Sequence, residues 1–227
     1  MANNPYAPPG APVADIEKPL ESGTLNPWFS IWTRPRATIA QIVARNPTDL
    51  VLLLAALSGF GQALDRASER SAGDTLSLPV IFVAAAAGGV VGGIITLYLG
   101  GLLLWWTGSW IGGRASGEHI RAAIAWSSVP IIWSLLLWIP EVALFGNELF
   151  TTATPRLDGS VGLTVLLLSF FVVEAVIAVW AFVVFLKCLG QVQGFSAWKA
   201  LGNTLLVVPV ILLPILLIAL AVGAFAG

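Results

Sequence analysis

Glu174 is the side chain best placed to do chemistry in this sequence, because it is the lone charge at the centre of the apolar run Val161 to Leu186. An ionised carboxylate at the middle of a bilayer costs about 3 kcal/mol or more, so Glu174 must be either neutral or paired. A neutral carboxyl can donate one interhelical hydrogen bond, whereas a carboxyl that gains and loses its proton can relay protons or ions. Asn203 and Thr204, Ser127 and Ser128, or Gln62 and Arg66 are the polar side chains available as partners. A second set, Ser58, Gln62, Asp65, Arg66 and Glu69, recurs at three- and four-residue steps and shares one helix face. Gln62, Asp65 and Arg66 therefore form a candidate polar face, either a solvated helix end or the lining of a cavity.

Other chemistries are excluded early. One cysteine, Cys188, and one histidine, His119, are too few for a thiolate or imidazole metal site. No nucleophile stands with a base or an oxyanion site, so no catalytic residue and no cofactor is expected, and the protein reads as a non-enzyme. With a net charge of −1 and no basic cluster, nucleic-acid binding is not expected. His119 reads as a solvated residue at a helix start, although its titration range permits pH sensing.

The elements that must position these residues are membrane helices. Hydrophobic residues make up 57% of the 227, charged residues 10%, and the mean hydropathy is +0.89, the profile of a polytopic membrane protein. The fold class expected is all-α, a polytopic bundle with five transmembrane helices. The first, Leu50 to Leu64, is short for a roughly 30 Å hydrocarbon core and must continue into the polar face. The second is most apolar from Leu78 to Trp106 and carries a ridge of small residues, Ala84, Gly88, Gly92, Thr96 and Gly100, with Gly88 and Gly92 as the candidate helix-packing positions. In water such glycines weaken a helix, but in lipid they let a neighbouring helix approach, from the same chain or from a second copy. Ser116 caps a third helix interrupted by Pro130 and Pro140, after which Glu141, Asn147, Glu148, Arg156 and Asp158 mark a wet connection. The fourth span is Val161 to Leu186. A polar loop, Gly190 to Gly194, leads to a fifth span, Ala200 to Ala226, capped by Ser196 and bent by Pro209 and Pro214.

Ahead of the spans, residues 1–24 hold five prolines and no apolar periodicity, the composition of a disordered Pro-rich cytoplasmic tail. No basic stretch leads an apolar core there, so no cleaved leader is expected. Residues 25–46 are a basic, aromatic, amphipathic arm with Thr33 as its helix cap. Its candidate interfacial anchors are Trp28, Trp32, Arg34 and Arg36, rings at the headgroup level and guanidinium groups on lipid phosphate. Lys18, Arg34, Arg36, Arg45, Arg114, Arg121, Lys187 and Lys199 fall on one side of the five spans, and Arg66, Arg70 and Arg156 on the other. The positive-inside rule then puts the N-terminus in the cytoplasm and the C-terminus outside. The partners expected are the lipid bilayer and a membrane or cytoplasmic protein, with a homo-oligomer also open.

Three segments carry a resemblance: WFSIWTRPRATIAQIV in the arm, GGRASGEHIRAAIAWSSVP at the third helix, and LGQVQGFSAWKALGNTLLVVP before the fifth. In this order among five spans, covering roughly residues 26–227, they resemble bacterial Yip1-family integral membrane proteins. The resemblance implies a five-helix Yip1-like domain over residues 47–227, a bacterial inner-membrane location, a cytoplasmic N-terminus and a short outside C-terminus. Eukaryotic relatives bind Rab-type GTPases and take part in vesicle traffic between endoplasmic reticulum and Golgi. The acidic-tyrosine motif of those relatives is absent, since Asn46 to Leu50 (NPTDL) has no tyrosine. Two functions follow as expectations: a non-enzymatic membrane scaffold, or a small proton- or ion-coupled transporter or channel using Glu174.

Overall fold

Residues 24–226 are described here from a computed structural model, and the tail expected over residues 1–24 lies outside them except for Thr24. Among the described residues the chain is helical throughout, with no strand. Two short helices open it, α1 (Pro27–Thr33) and α2 (Pro35–Arg45). The Asn26 side chain caps α1 by accepting from the Trp28 amide at 3.1 Å. Thr33, expected to cap α2, belongs instead to α1, and Arg34 occupies the cap position without a side-chain bond.

The next helix, α3 (Val51–Glu69), runs through the apolar stretch into the polar face as its length required. A second long helix follows in two parts, α4 (Leu78–Ala84) and α5 (Val90–Trp110), joined through a π-helical turn at Ala85–Gly89. The glycines work one residue out of the expected register. Gly88, Gly92 and Gly100 face open space, whereas Gly89 and Gly93 lie directly against Gly59 and Ala55 of α3. A β-carbon built on Gly59 would stand 2.6 Å from Gly93 Cα, far inside van der Waals contact, so only glycine permits this approach. Both rows are small, and spacing alone does not say which faces a partner. The choice goes to the row continued by buried Ile81, Ala85 and Leu97.

The third apolar segment is broken where its prolines demand. It comprises α6 (Gly117–Ser127), α7 (Val129–Ser134), a 3-10 turn at Leu135–Leu137 and α8 (Trp138–Phe145), with Pro130 and Pro140 each in the first turn of a new piece. Ser116 caps α6 through the His119 amide at 3.3 Å. A short helix, α9 (Pro155–Asp158), is held at its start by Glu148, whose two oxygens accept from the Arg156 and Leu157 amides.

The fourth helix, α10 (Val161–Gln193), passes beyond the expected end at Leu186 and takes in the supposed loop. It stops only at Gly194, whose φ of +80° provides the left-handed cap residue. The last helix, α11 (Ala197–Ala226), contains Pro209 and Pro214. Among the described residues four segments are long and apolar enough to cross a membrane: Leu78–Trp110, Gly117–Phe150, Val161–Gln193 and Ala197–Pro214. The expected first crossing, α3, is not among them, because its 19 residues end in Asp65, Arg66 and Glu69.

The main core gathers around α6. Trp126, Ala122, Ala125 and Val129 pack with Ile39 and Ile42 of α2, Val51 and Leu54 of α3, and Val184 and Cys188 of α10. The outer part of α10, from Val161 to Val179, is largely exposed apolar surface, as a lipid-facing helix requires.

Candidate functional site

Glu174 lines a cavity of about 310 Å³ whose other polar walls are Asp65 of α3 and Ser134 of α7. Trp138, Phe171 and Ala178 supply apolar walls. None of the partners expected from the sequence reaches Glu174. Asn203 is engaged with Thr107 and the Leu104 carbonyl, while Thr204, Ser127 and Ser128 each bond a carbonyl of their own helix. Gln62 bonds Ser58 and accepts from Arg66 at 3.4 Å. What Glu174 meets instead are acids.

Glu141 is the third acid. It was expected in a wet connection, yet it sits in α8 only 3% exposed, with its Oε1 buried and without a hydrogen-bond partner. Its carboxyl lies within electrostatic reach of both Glu174 and Asp65, and Glu174 lies within reach of Asp65. Among the described residues these acids form no ion pair with Lys or Arg; Arg66 acts electrostatically on Asp65. The three are not arranged to hold a metal ion. Three helices thus bring three carboxyls within electrostatic reach of one another without a paired cation, Asp65 and Glu174 lining the cavity and Glu141 buried, a setting that disfavours charging all three together. Chemically, such a cluster can hold, share and exchange protons. The sequence did contain a signal for Glu141: it is the lone charge in the apolar stretch Ala122 to Gly146, much as Glu174 is in its own run.

The predicted polar face divides. Asp65 turns to the acidic cavity, whereas Arg66 lines a different groove together with Arg70. The arm is also not laid free along a lipid surface. Arg36 is 7% exposed and buried against the bundle, with its Nη1 lacking a partner, so it does not reach a lipid phosphate. Trp28 packs edge-on to Trp126, and the Trp180 indole donates to the Trp32 carbonyl at 3.1 Å. Of the four expected anchors only Arg34 is exposed.

A separate polar knot ties α5, α10 and α11. The Thr107 hydroxyl donates to Asn203 Oδ1 at 2.7 Å, and the amide groups of Asn203 and Gln193 both donate to the Leu104 carbonyl. All three side chains are buried, and Gly108 and Gly113 leave the room for Gln193.

No curated protein and no solved structure matches the chain. The profile described as the Yip1 domain, which is not a known enzyme family, does match it, over residues 29–220. That stretch begins inside α1 and runs into α11, so it contains the docked arm, the four apolar helices and the acidic cavity together. The chain is accordingly a multi-pass membrane protein belonging to the Yip1 domain family.

Proposed function

We propose that this Yip1-family protein is non-enzymatic and takes up and releases protons at the acid cluster of Asp65, Glu141 and Glu174, as a small proton- or ion-coupled transporter or channel does. The single observation that carries this reading is the buried, unpartnered Glu141 carboxyl beside two further acids on other helices. Burying an ionised carboxyl without a partner is costly, whereas a protonated one is tolerated, so charge and proton occupancy at this site are linked. The groups that bear on the site are Gln62, Asp65, Arg66 and Glu69 on α3, Ser134 on α7, Glu141 on α8 and Glu174 on α10. Here α3 is a fifth embedded helix, supported by its glycine contact with α5 and by outward Leu52 and Leu53. The basic residues on the arm side favour an orientation with the arm in the cytoplasm. In liposomes under an imposed voltage, the protein should pass protons and Glu174→Gln should reduce passage to the protein-free leak. Wild-type protein indistinguishable from that leak would remove the transport reading.

A second reading, an interaction scaffold, is favoured by the arm. Its inner face is locked into the core while Phe29, 63% exposed, and Arg34 point outward from a fixed frame. Photocrosslinkers at Phe29 and Arg34 in intact cells should then capture one recurring protein, and recovery of lipid alone would remove the scaffold reading.

A further inference from the structure

We propose that the groove between the end of α3 and the α4–π-turn segment is a binding site for one anionic phospholipid, its phosphate held by Arg66 and Arg70 and an acyl chain laid over Ala84 and Gly88. The groove has a volume of about 280 Å³ and is lined by Ala63, Arg66, Ala67 and Arg70 on one side. Leu76, Ile81, Ala84, Ala85, Gly88 and Gly89 line the other. Its only charged lining residues are the two arginines, Arg66 in the last turn of α3 and Arg70 at its C-cap, and both are exposed. Neither is within ion-pairing distance of a carboxylate among the described residues, and Arg66 has only a 3.4 Å bond to Gln62. Of the nearby acids, Asp65 faces the other cavity, Asp74 is occupied by Thr152, and Glu69 does not line the groove.

The rest of the groove has the chemistry of a lipid tail site. Its floor is small and apolar, and beyond it Gly88 and Gly92 face open space, a smooth outward track flanked by exposed Val80, Val83 and Val91. The π-helical turn at Ala85–Gly89 lies in this floor, and such turns concentrate at functional positions. The arginines occupy the last turn and the C-cap of α3, near where the chain leaves the apolar segment and before α4 enters at Leu78. That is headgroup depth, and arginine there binds phosphate through paired donors. A track of glycine alone would equally fit a second copy of the chain; the unpaired guanidinium groups at its head select an anionic lipid.

The test is lipid retention by full-length protein purified from mixed phosphatidylglycerol and phosphatidylcholine, read by native mass spectrometry. Wild type should retain one phosphatidylglycerol in preference to phosphatidylcholine. At about five-fold per guanidinium, Arg66→Gln with Arg70→Gln should lower that preference roughly 25-fold. Arg66→Lys with Arg70→Lys should keep most of it, and Arg156→Gln, in the connection before α10, should keep all of it. Gly88→Leu, placed where a side chain meets open space, should expel the lipid while leaving the thermal midpoint unchanged. Equal retention of both lipids by wild type, or an unaltered preference in the double glutamine variant, would overturn the site. A wild-type dimer that Gly88→Leu splits with no change in bound lipid would give the track to a second copy and overturn it as well.

Discussion

Gly59 of α3 lies so close to Gly93 of α5 that a β-carbon at Gly59 would come within 2.6 Å of Gly93 Cα. The contact is backbone against backbone, with the Ala55 carbonyl and Gly89 on either side, and it sets how α3 docks. Gly93→Ala should therefore destabilise the protein by about 1–3 kcal/mol through overpacking. Gly92→Ala, one residue away and facing open space, should cost nothing. Thermal unfolding in detergent compares the two. Equal losses would mean that the helices are not packed through this row.

The buried knot of Thr107, Asn203 and Gln193 gives a second expectation. Removing the Asn203 amide leaves the Thr107 hydroxyl only its 2.8 Å bond to the Leu103 carbonyl and takes one of two donors from the Leu104 carbonyl. Asn203→Ala should cost about 1–3 kcal/mol, for the two buried hydrogen bonds it removes. Thr204→Ala, whose hydroxyl bonds only the Ala200 carbonyl of its own helix, should cost much less. Chemical unfolding of both variants in the same detergent would separate them.

A pH expectation comes from the connections outside the apolar helices. The Thr152 hydroxyl and amide donate to the two oxygens of Asp74 at 2.7 and 3.0 Å and hold its carboxyl below the ordinary carboxylate range. A lowered value in the folded state means that this clamp stabilises at pH above the unfolded value, near 4, and is lost as pH falls through the folded one. Proteolysis between Ser71 and Leu76 should stay slow down to the ordinary carboxylate range and accelerate only below it. In Asp74→Asn the rate should be raised at neutral pH and should no longer change with acid.

Much of this arrangement was legible from sequence because the bilayer restricts the options. Apolar length found the helices, serine and proline found where α6, α7, α8 and α11 begin or bend, and lone charges found Glu174. Register was harder to read. Gly88 and Gly89 are chemically alike, and only the buried residues Ile81, Ala85 and Leu97 decide which row faces α3. Long-range partners were harder still. Asn203 was a fitting mate for Glu174 by type, but α11 packs beside α5, where Thr107 takes it. Arg36 reads as an anchor from charge alone, and its burial follows from α2 docking against α10. Glu141 looked solvated because it precedes a polar loop, although its helix carries it into the bundle.

Protons shared among Asp65, Glu141 and Glu174 are read directly by infrared difference spectroscopy over a pH titration in nanodiscs. The wild type should show a protonated-carboxyl band that changes with pH, and Glu141→Gln and Glu174→Gln should each remove or shift it. A spectrum with no such band, or one that both variants leave unchanged, would contradict a proton-exchanging centre in this protein.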